Sequence, residues 1–291
     1  MADAGRDEVT GMVLGAWDAF LAQVATVDLA APSRLRGWRA HEIAVHLGCW
    51  SDHTALADLI ASARSGGRGA VPDVDAVNAR VTTAHRGAPR DEVVAALHLN
   101  RDATARYLEE EPRELDTAPT VSVVGRLPLL SVVLGQAYEL AVHGLDLVSC
   151  GAEPPPPDVL QSGLAALVDV TGALAVSCDL TGRVTLATPA GGWRFAADGE
   201  GWTVRRLPAG EFSGPAVEGP ATLLLEAASG RVNPVPAAAA RRLRVHEVTG
   251  LLALAPIVQK VPGIPVGPLL QLAARTVGSA GGMLGRLLGR S

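Results

Sequence analysis

The stretch Tyr138-Glu139-Leu140-Ala141-Val142-His143-Gly144-Leu145-Asp146-Leu147 decides how this chain is read. As a helix it places Glu139 and His143 four residues apart on one face, so both can aim at one point. Upstream, Trp38-Arg39-Ala40-His41-Glu42-Ile43-Ala44-Val45-His46-Leu47 sets His46 on a second helix. If the two helices are neighbours, His46, Glu139 and His143 supply three ligands of mixed nitrogen and oxygen type. Three protein ligands with an open fourth position are the usual constellation of a catalytic zinc site. Asp146 follows His143 by one turn. It reads either as the carboxylate that holds the imidazole in its working tautomer or as a helix-end charge paired with an arginine.

The 291 residues suffice for two ordinary domains, and 48% are apolar, so a core is assured. The formal net charge is −5, without the basic footprint of a nucleic-acid binder. Cys49, Cys150 and Cys178 are widely spaced and odd in number. That pattern argues against a disulfide framework and for a reducing, cytoplasmic setting. Residues 1–10 are polar and acidic, lacking the basic and apolar regions of a signal peptide.

Two regimes follow along the chain. Val9, Met12, Val13, Ala16, Phe20 and Val24 form a helical stripe. Further helices are expected from about Ala40 to Arg64, Asp73 to Arg86, Pro89 to Pro112 and Pro128 to Gly151, which together suggest an antiparallel bundle. Pro154 to Pro157 make a stiff spacer and mark the expected domain boundary. Beyond it a helix (158–175) precedes strand-like runs at 183–187, 192–197 and 201–206, the last two joined by the turn Asp198-Gly199-Glu200-Gly201. A short apolar helix (220–228), then a strand and a helix within 242–259, complete a half that reads as α+β with an antiparallel sheet. The expected division is a helical domain over 1–152, an α+β domain over 158–260 and an apolar Gly/Leu-rich tail over 261–291. The tail is too broken by Pro and Gly to span a bilayer. It reads as a helix docked on the body or, in a homodimer, on another subunit, with membrane-surface association as the alternative.

The Trp-x7-His-Leu stretch ending at His46-Leu47 and the Glu-x3-His-x2-Asp stretch from Glu139 to Asp146, with the bundle and the α+β half, resemble the mycothiol-dependent maleylpyruvate isomerase family. Asp75, Asn78 and Val81, and Pro220-Ala221-Thr222-Leu223-Leu224-Leu225 leading to Ser229-Gly230-Arg231, add to the likeness, which covers roughly residues 8 to 260. The resemblance implies a DinB-like metal-binding four-helix bundle followed by a sterol-carrier-protein-like domain. It implies His46, Glu139 and His143 as metal ligands and Arg231 as a residue facing the active-site cleft. Gln136 stands where the family often has an arginine, and Thr249-Gly250 where it has Gly-Asp.

The implied chemistry uses zinc, or another divalent ion, to hold a low-molecular-weight thiol, mycothiol, as its thiolate. Addition to an electrophilic alkene, bond rotation and expulsion of the thiol give cis–trans isomerisation; related members transfer the thiol instead. The partner is then a small, anionic electrophile, with Arg231 as carboxylate anchor. Two other functions fit the same residues: a non-catalytic metal- or ligand-binding module, and a metal-dependent hydrolase, for which no clear general base is present. His46 alone reads equally as an interior histidine, Cys49 as a small buried thiol, Trp38 as a core anchor and Arg231 as a helix cap.

Overall fold

The computed structural model describes residues 5–254 together with 256 and 257. The expected tail (261–291) lies outside the described residues. By Cα packing the chain divides into two compact units, one ending at Ala166 and the other running from Leu167 onward.

The first unit is helical. Helix α1 (Arg6–Thr26) buries Val9, Val13, Ala16, Trp17, Phe20 and Val24, the predicted stripe without Met12, which is only half-buried, and with Trp17 joined to it. It packs on α5 (Arg90–Glu110) and α6 (Leu129–Val148). The helix expected from Ala40 to Arg64 is two: α2 (Ala40–Leu47) and α3 (Ala55–Arg64). The break begins at Gly48, where a Cβ would meet Trp50 Nε1 at 2.9 Å and Ala96 Cβ at 3.0 Å. The carbonyls released at the end of α2 find donors there. Trp50 Nε1 donates to Val45 O at 2.9 Å and Asn100 Nδ2 to Leu47 O at 2.8 Å, so the early stop leaves both satisfied. Cys49 N donates to Ala96 O at 2.9 Å and ties the loop to α5.

Helix α4 (Val74–Ala84) starts where predicted, because the Asp73 carboxylate accepts from the Asp75 and Ala76 amides. Between α5 and α6 lies an antiparallel hairpin that the pattern did not suggest, β1 (Pro119–Ser122) with β2 (Gly125–Pro128). Thr120 Oγ1 donates to Leu59 O at 2.7 Å and docks it on α3. Helix α6 buries fifteen of its twenty residues, as its apolar composition demands.

Helix α7 (Pro157–Ser177) opens on the last proline of the tetraproline run and carries the unit boundary. The second unit holds a five-stranded sheet built from β3 (Gly182–Thr188), β4 (Gly191–Ala197), β5 (Trp202–Leu207), β6 (Ala216–Glu218) and β7 (Arg244–His246), in the order β5-β4-β3-β6-β7. The expected hairpin turn joins β4 to β5, with Asp198 accepting from the Glu200 and Gly201 amides. The sheet is not wholly antiparallel. β6 runs parallel to β3, because the chain leaving the edge strand β5 crosses to the far side of β3. Trp193 is buried in the sheet, and Trp202 lies against Gly172 of α7, its Nε1 donating to Asp169 Oδ1 at 2.9 Å. Helices α8 (Ala221–Ala228), α9 (Pro234–Ala239) and α10 (Val248–Leu252) complete the unit.

Two helices, α1 and α7, are long and apolar enough to cross a membrane by length and composition. In α7, 78% of the apolar window is buried within the protein, the state of a core helix.

Candidate metal centre

Because α2 stops at Leu47, His46 sits in its last turn and faces α6. The His46 and His143 rings approach edge-to-face, centroids 5.2 Å apart. Glu139 Oε2 lies 3.6 Å from His143 Nε2 and 4.0 Å from His46 Nε2. One ligand atom from each of the three residues falls within 4.8 Å of the other two. A tetrahedral zinc with ligands at about 2.0–2.2 Å needs donor atoms roughly 3.3–3.6 Å apart, so a small inward adjustment of the side chains suffices. Among the described residues this is the one group of three or more His, Cys, Asp or Glu side chains with such spacing.

The three residues differ in environment. His143 is buried, His46 partly so, and the Glu139 side chain is about half exposed (47%), which leaves the cluster open on the carboxylate side. Burial pushes the His143 pKa below the ordinary histidine value, against the opposing pull of Asp146. His143 Nδ1 and Asp146 Oδ2 are 3.0 Å apart. An ionised carboxylate only accepts, so this contact puts the proton on Nδ1 and turns the Nε2 lone pair toward Glu139. Asp146 is fully buried, and Arg34 Nε donates to its other oxygen at 2.7 Å. Asp146 therefore contacts both the His143 imidazole and an arginine.

Trp38 is more than a core anchor. Its indole lies nearly parallel to the His143 ring (13°, centroids 6.2 Å) and tilted against His46 at 5.5 Å. Gln136, one turn before Glu139, accepts from Trp17 Nε1 at 2.7 Å and Thr104 Oγ1 at 3.0 Å and so joins α1, α5 and α6. Gly144 lets α1 close on α6. Gln23 Nε2 donates to Gly144 O at 3.3 Å and to Glu153 O at 2.6 Å.

The remaining predicted residues have these contacts. Arg231 belongs to the second unit, where its Nη1 donates to Ser229 O at 3.2 Å, the helix-end contact. Cys49 is half-buried, and burial raises its thiol pKa, which disfavours the thiolate. His41 bonds to Ala88 O, His85 stacks on Trp50 beside Asp52, His246 meets Glu218, and His98 is exposed. Arg34 was not predicted. It lies in a coil 112 positions before Asp146, and no local pattern signals it.

These features define a helical domain whose side chains can hold a divalent ion in a two-histidine, one-carboxylate centre. Residues 13–148 match the model of the mycothiol maleylpyruvate isomerase N-terminal domain. The crystal structure of the mycothiol-dependent maleylpyruvate isomerase is similar at a TM-score of 0.50 and 17% identity, over 86% of this chain and 95% of that one. The structure of a histidine-to-alanine mutant of mycothiol-dependent maleylpyruvate isomerase gives 0.53 and 16% over the same shares. At these identities the likeness is one of fold. No curated protein matches the sequence.

Proposed function

We propose that this protein is a zinc-dependent enzyme that uses mycothiol on a small anionic electrophile, either isomerising it or transferring the thiol to it. The observation that carries the reading is the convergence of His46, Glu139 and His143 in a domain that matches the mycothiol maleylpyruvate isomerase N-terminal model. The donor set fits zinc: two imidazoles and a carboxylate, with no fourth His, Cys, Asp or Glu grouped with them among the described residues. When bound, the ion would stabilise the thiolate form of a thiol near neutral pH.

The chain's own residues then have distinct tasks. His143 presents Nε2 because Asp146 holds Nδ1, and Arg34 donates to the other oxygen of Asp146 in its buried place. Trp38 walls the two imidazoles on one side and limits water there. Arg231 is the proposed anchor for the carboxylate of the electrophile, on the strength of the family resemblance. Gln136 is neutral and engaged by Trp17 and Thr104, where the family often has an arginine, which favours an electrophile other than maleylpyruvate itself.

The test is metal analysis of the purified protein, followed by mass spectrometry of products from a panel of unsaturated acids with and without mycothiol. Stoichiometric zinc and a mycothiol-dependent product support the reading. Stoichiometric metal without any thiol-dependent product would leave a binding module.

A further inference from the structure

The helical unit also contains a cleft of about 680 Å³ that does not include the metal cluster. Its walls come from the loop after α1, the start of α2, and the link from α4 to α5. Trp38, Arg39, His41, Glu42, Arg86 and Arg90 supply its polar and aromatic lining.

The cleft is framed by hydrogen bonds across its walls. His41 Nε2 meets Ala88 O at 2.9 Å, His41 N donates to Leu29 O at 2.9 Å, and Arg90 Nη1 donates to Val27 O at 2.9 Å. Glu42 is engaged by the Arg39 backbone amide at 2.8 Å. Arg90 is likewise committed, to the last carbonyls of α1. Arg39 and Arg86 are exposed and form no ion pair among the described residues. Three arginines therefore face one carboxylate in a protein whose net charge is −5. A concave wall with surplus positive charge on an otherwise acidic chain concentrates anions. Guanidinium groups grip carboxylates through two parallel bonds, and an indole offers a broad apolar face to a planar body. The volume falls within the range of small-molecule sites, about 300–1,000 Å³.

We propose that this cleft is a second binding site, separate from the His46–Glu139–His143 cluster, for a small planar dicarboxylate anion. Arg39 and Arg86 hold the carboxylates and Trp38 lies against the apolar body. Trp38 is shared with the cluster, whose imidazoles lie on its ring, but none of the three clustered ligands lines the cleft.

Phthalate, a planar aromatic dianion, is the probe, titrated into the full-length protein by calorimetry with intrinsic tryptophan fluorescence alongside. Saturable binding is expected, with benzamide, which has the ring but no charge, failing to compete. An Arg39→Gln, Arg86→Gln double variant should weaken binding by roughly tenfold or more, the loss expected for charge-assisted bonds. Both side chains are exposed, so the fold should survive, and circular dichroism checks this. Arg101→Gln, at an arginine paired with Asp18 away from the cleft, should bind as the parent does. Glu139→Gln should also bind phthalate normally. Absence of saturable binding, or a double variant that binds as tightly as the parent, overturns the proposal. Loss of binding in Glu139→Gln with the double variant unaffected also overturns it and assigns the anion to the metal cluster.

Discussion

The Nδ1–H of His143 donates to Oδ2 of Asp146 across 3.0 Å, in a part of α6 that solvent does not reach. This contact fixes which nitrogen of His143 carries the lone pair, and the lone pair is what a metal binds. In Asp146→Asn one side-chain atom still accepts a hydrogen bond, but the other becomes an NH2 group that faces either Arg34 or His143. Zinc affinity should fall about 10–100-fold with the helical content unchanged, as outer-partner replacements in metal sites typically cost. Zinc titration against a competing chelator measures it. Unchanged affinity would mean that Asp146 serves only to neutralise Arg34.

The ligands themselves should behave less gently. His143→Ala leaves one imidazole and one half-exposed carboxylate, which hold zinc poorly. A His46→Ala, His143→Ala double variant should carry no stoichiometric metal after dialysis. Metal analysis that still finds about one ion per chain would place the ion elsewhere.

Local spacing made part of this centre readable in advance. Glu139, His143 and Asp146 lie within two turns of one helix, so period alone aligns them. His46 could be joined to them only by assuming that its helix and α6 are neighbours. Arg34 could not be read at all, because its tie to Asp146 closes a span of 112 positions from a coil. The fold shows the same division. Long amphipathic helices were legible, whereas the stop at Gly48 depends on Trp50 and Ala96 packing against it, a tertiary fact. β6 pairs over only three residues, too few for any alternation to stand out, and its parallel partner β3 is set by the crossover. The hairpin of β1 and β2 is held partly by α3, which lies far upstream.

Where the start of α1 meets the last turns of α5, Arg6, Tyr107 and Asp116 form a charged and hydrogen-bonded knot. Arg6 pairs with Asp116 through Nε and Nη2, and the Tyr107 hydroxyl donates to Asp116 Oδ1 at 2.9 Å. Burial, reinforced by the Asp116 carboxylate, pushes the Tyr107 pKa far above the ordinary tyrosine value. The sign of the effect follows from proton counting. Above pH 10 the unfolded chain releases the phenol proton while the folded chain keeps it, so stability falls as pH rises. The slope contributed by this one group approaches about 1.4 kcal/mol per pH unit. Tyr107→Phe should cost about 1 kcal/mol near neutral pH and flatten the alkaline decline. Urea melts of both proteins between pH 9 and pH 11, values chosen to bracket the free phenol, compare the slopes; parallel slopes would remove Tyr107 from the account.

Arg231 carries the proposed substrate contact, and its variants separate that role from a structural one. Arg231→Ala should leave zinc content intact and lower thiol-dependent turnover roughly a hundredfold, the usual cost of one charged donor at a developing negative charge. Arg231→Lys should recover only part, because an ammonium cannot make two parallel bonds to a carboxylate. Full activity in Arg231→Ala would reduce the residue to its bond with Ser229 O.

Gly144 sits within α6 directly after His143, where two opposing effects of a single methyl group can be weighed. Alanine is the better helix former, by about 1 kcal/mol in an exposed helix interior. At Gly144, however, a Cβ would lie 2.7 Å from Gln23 Oε1 and 2.9 Å from Pro155 Cγ. Gln23 cannot simply swing aside, since its amide holds Gly144 O and Glu153 O, and a proline ring has no rotamer to yield. Overpacking of this kind costs about 1–3 kcal/mol, so the clash outweighs the propensity gain. Gly144→Ala should therefore be less stable by up to about 2 kcal/mol. In a Gln23→Ala background the same substitution should cost less, because one of the two obstructing groups is gone and neighbouring sites do not add. The pair of differences is read from urea melts of the four proteins in that cycle. If Gly144→Ala proves stabilising in the parent, α1 and α6 are not packed as closely at His143 as the Gln23 contacts require.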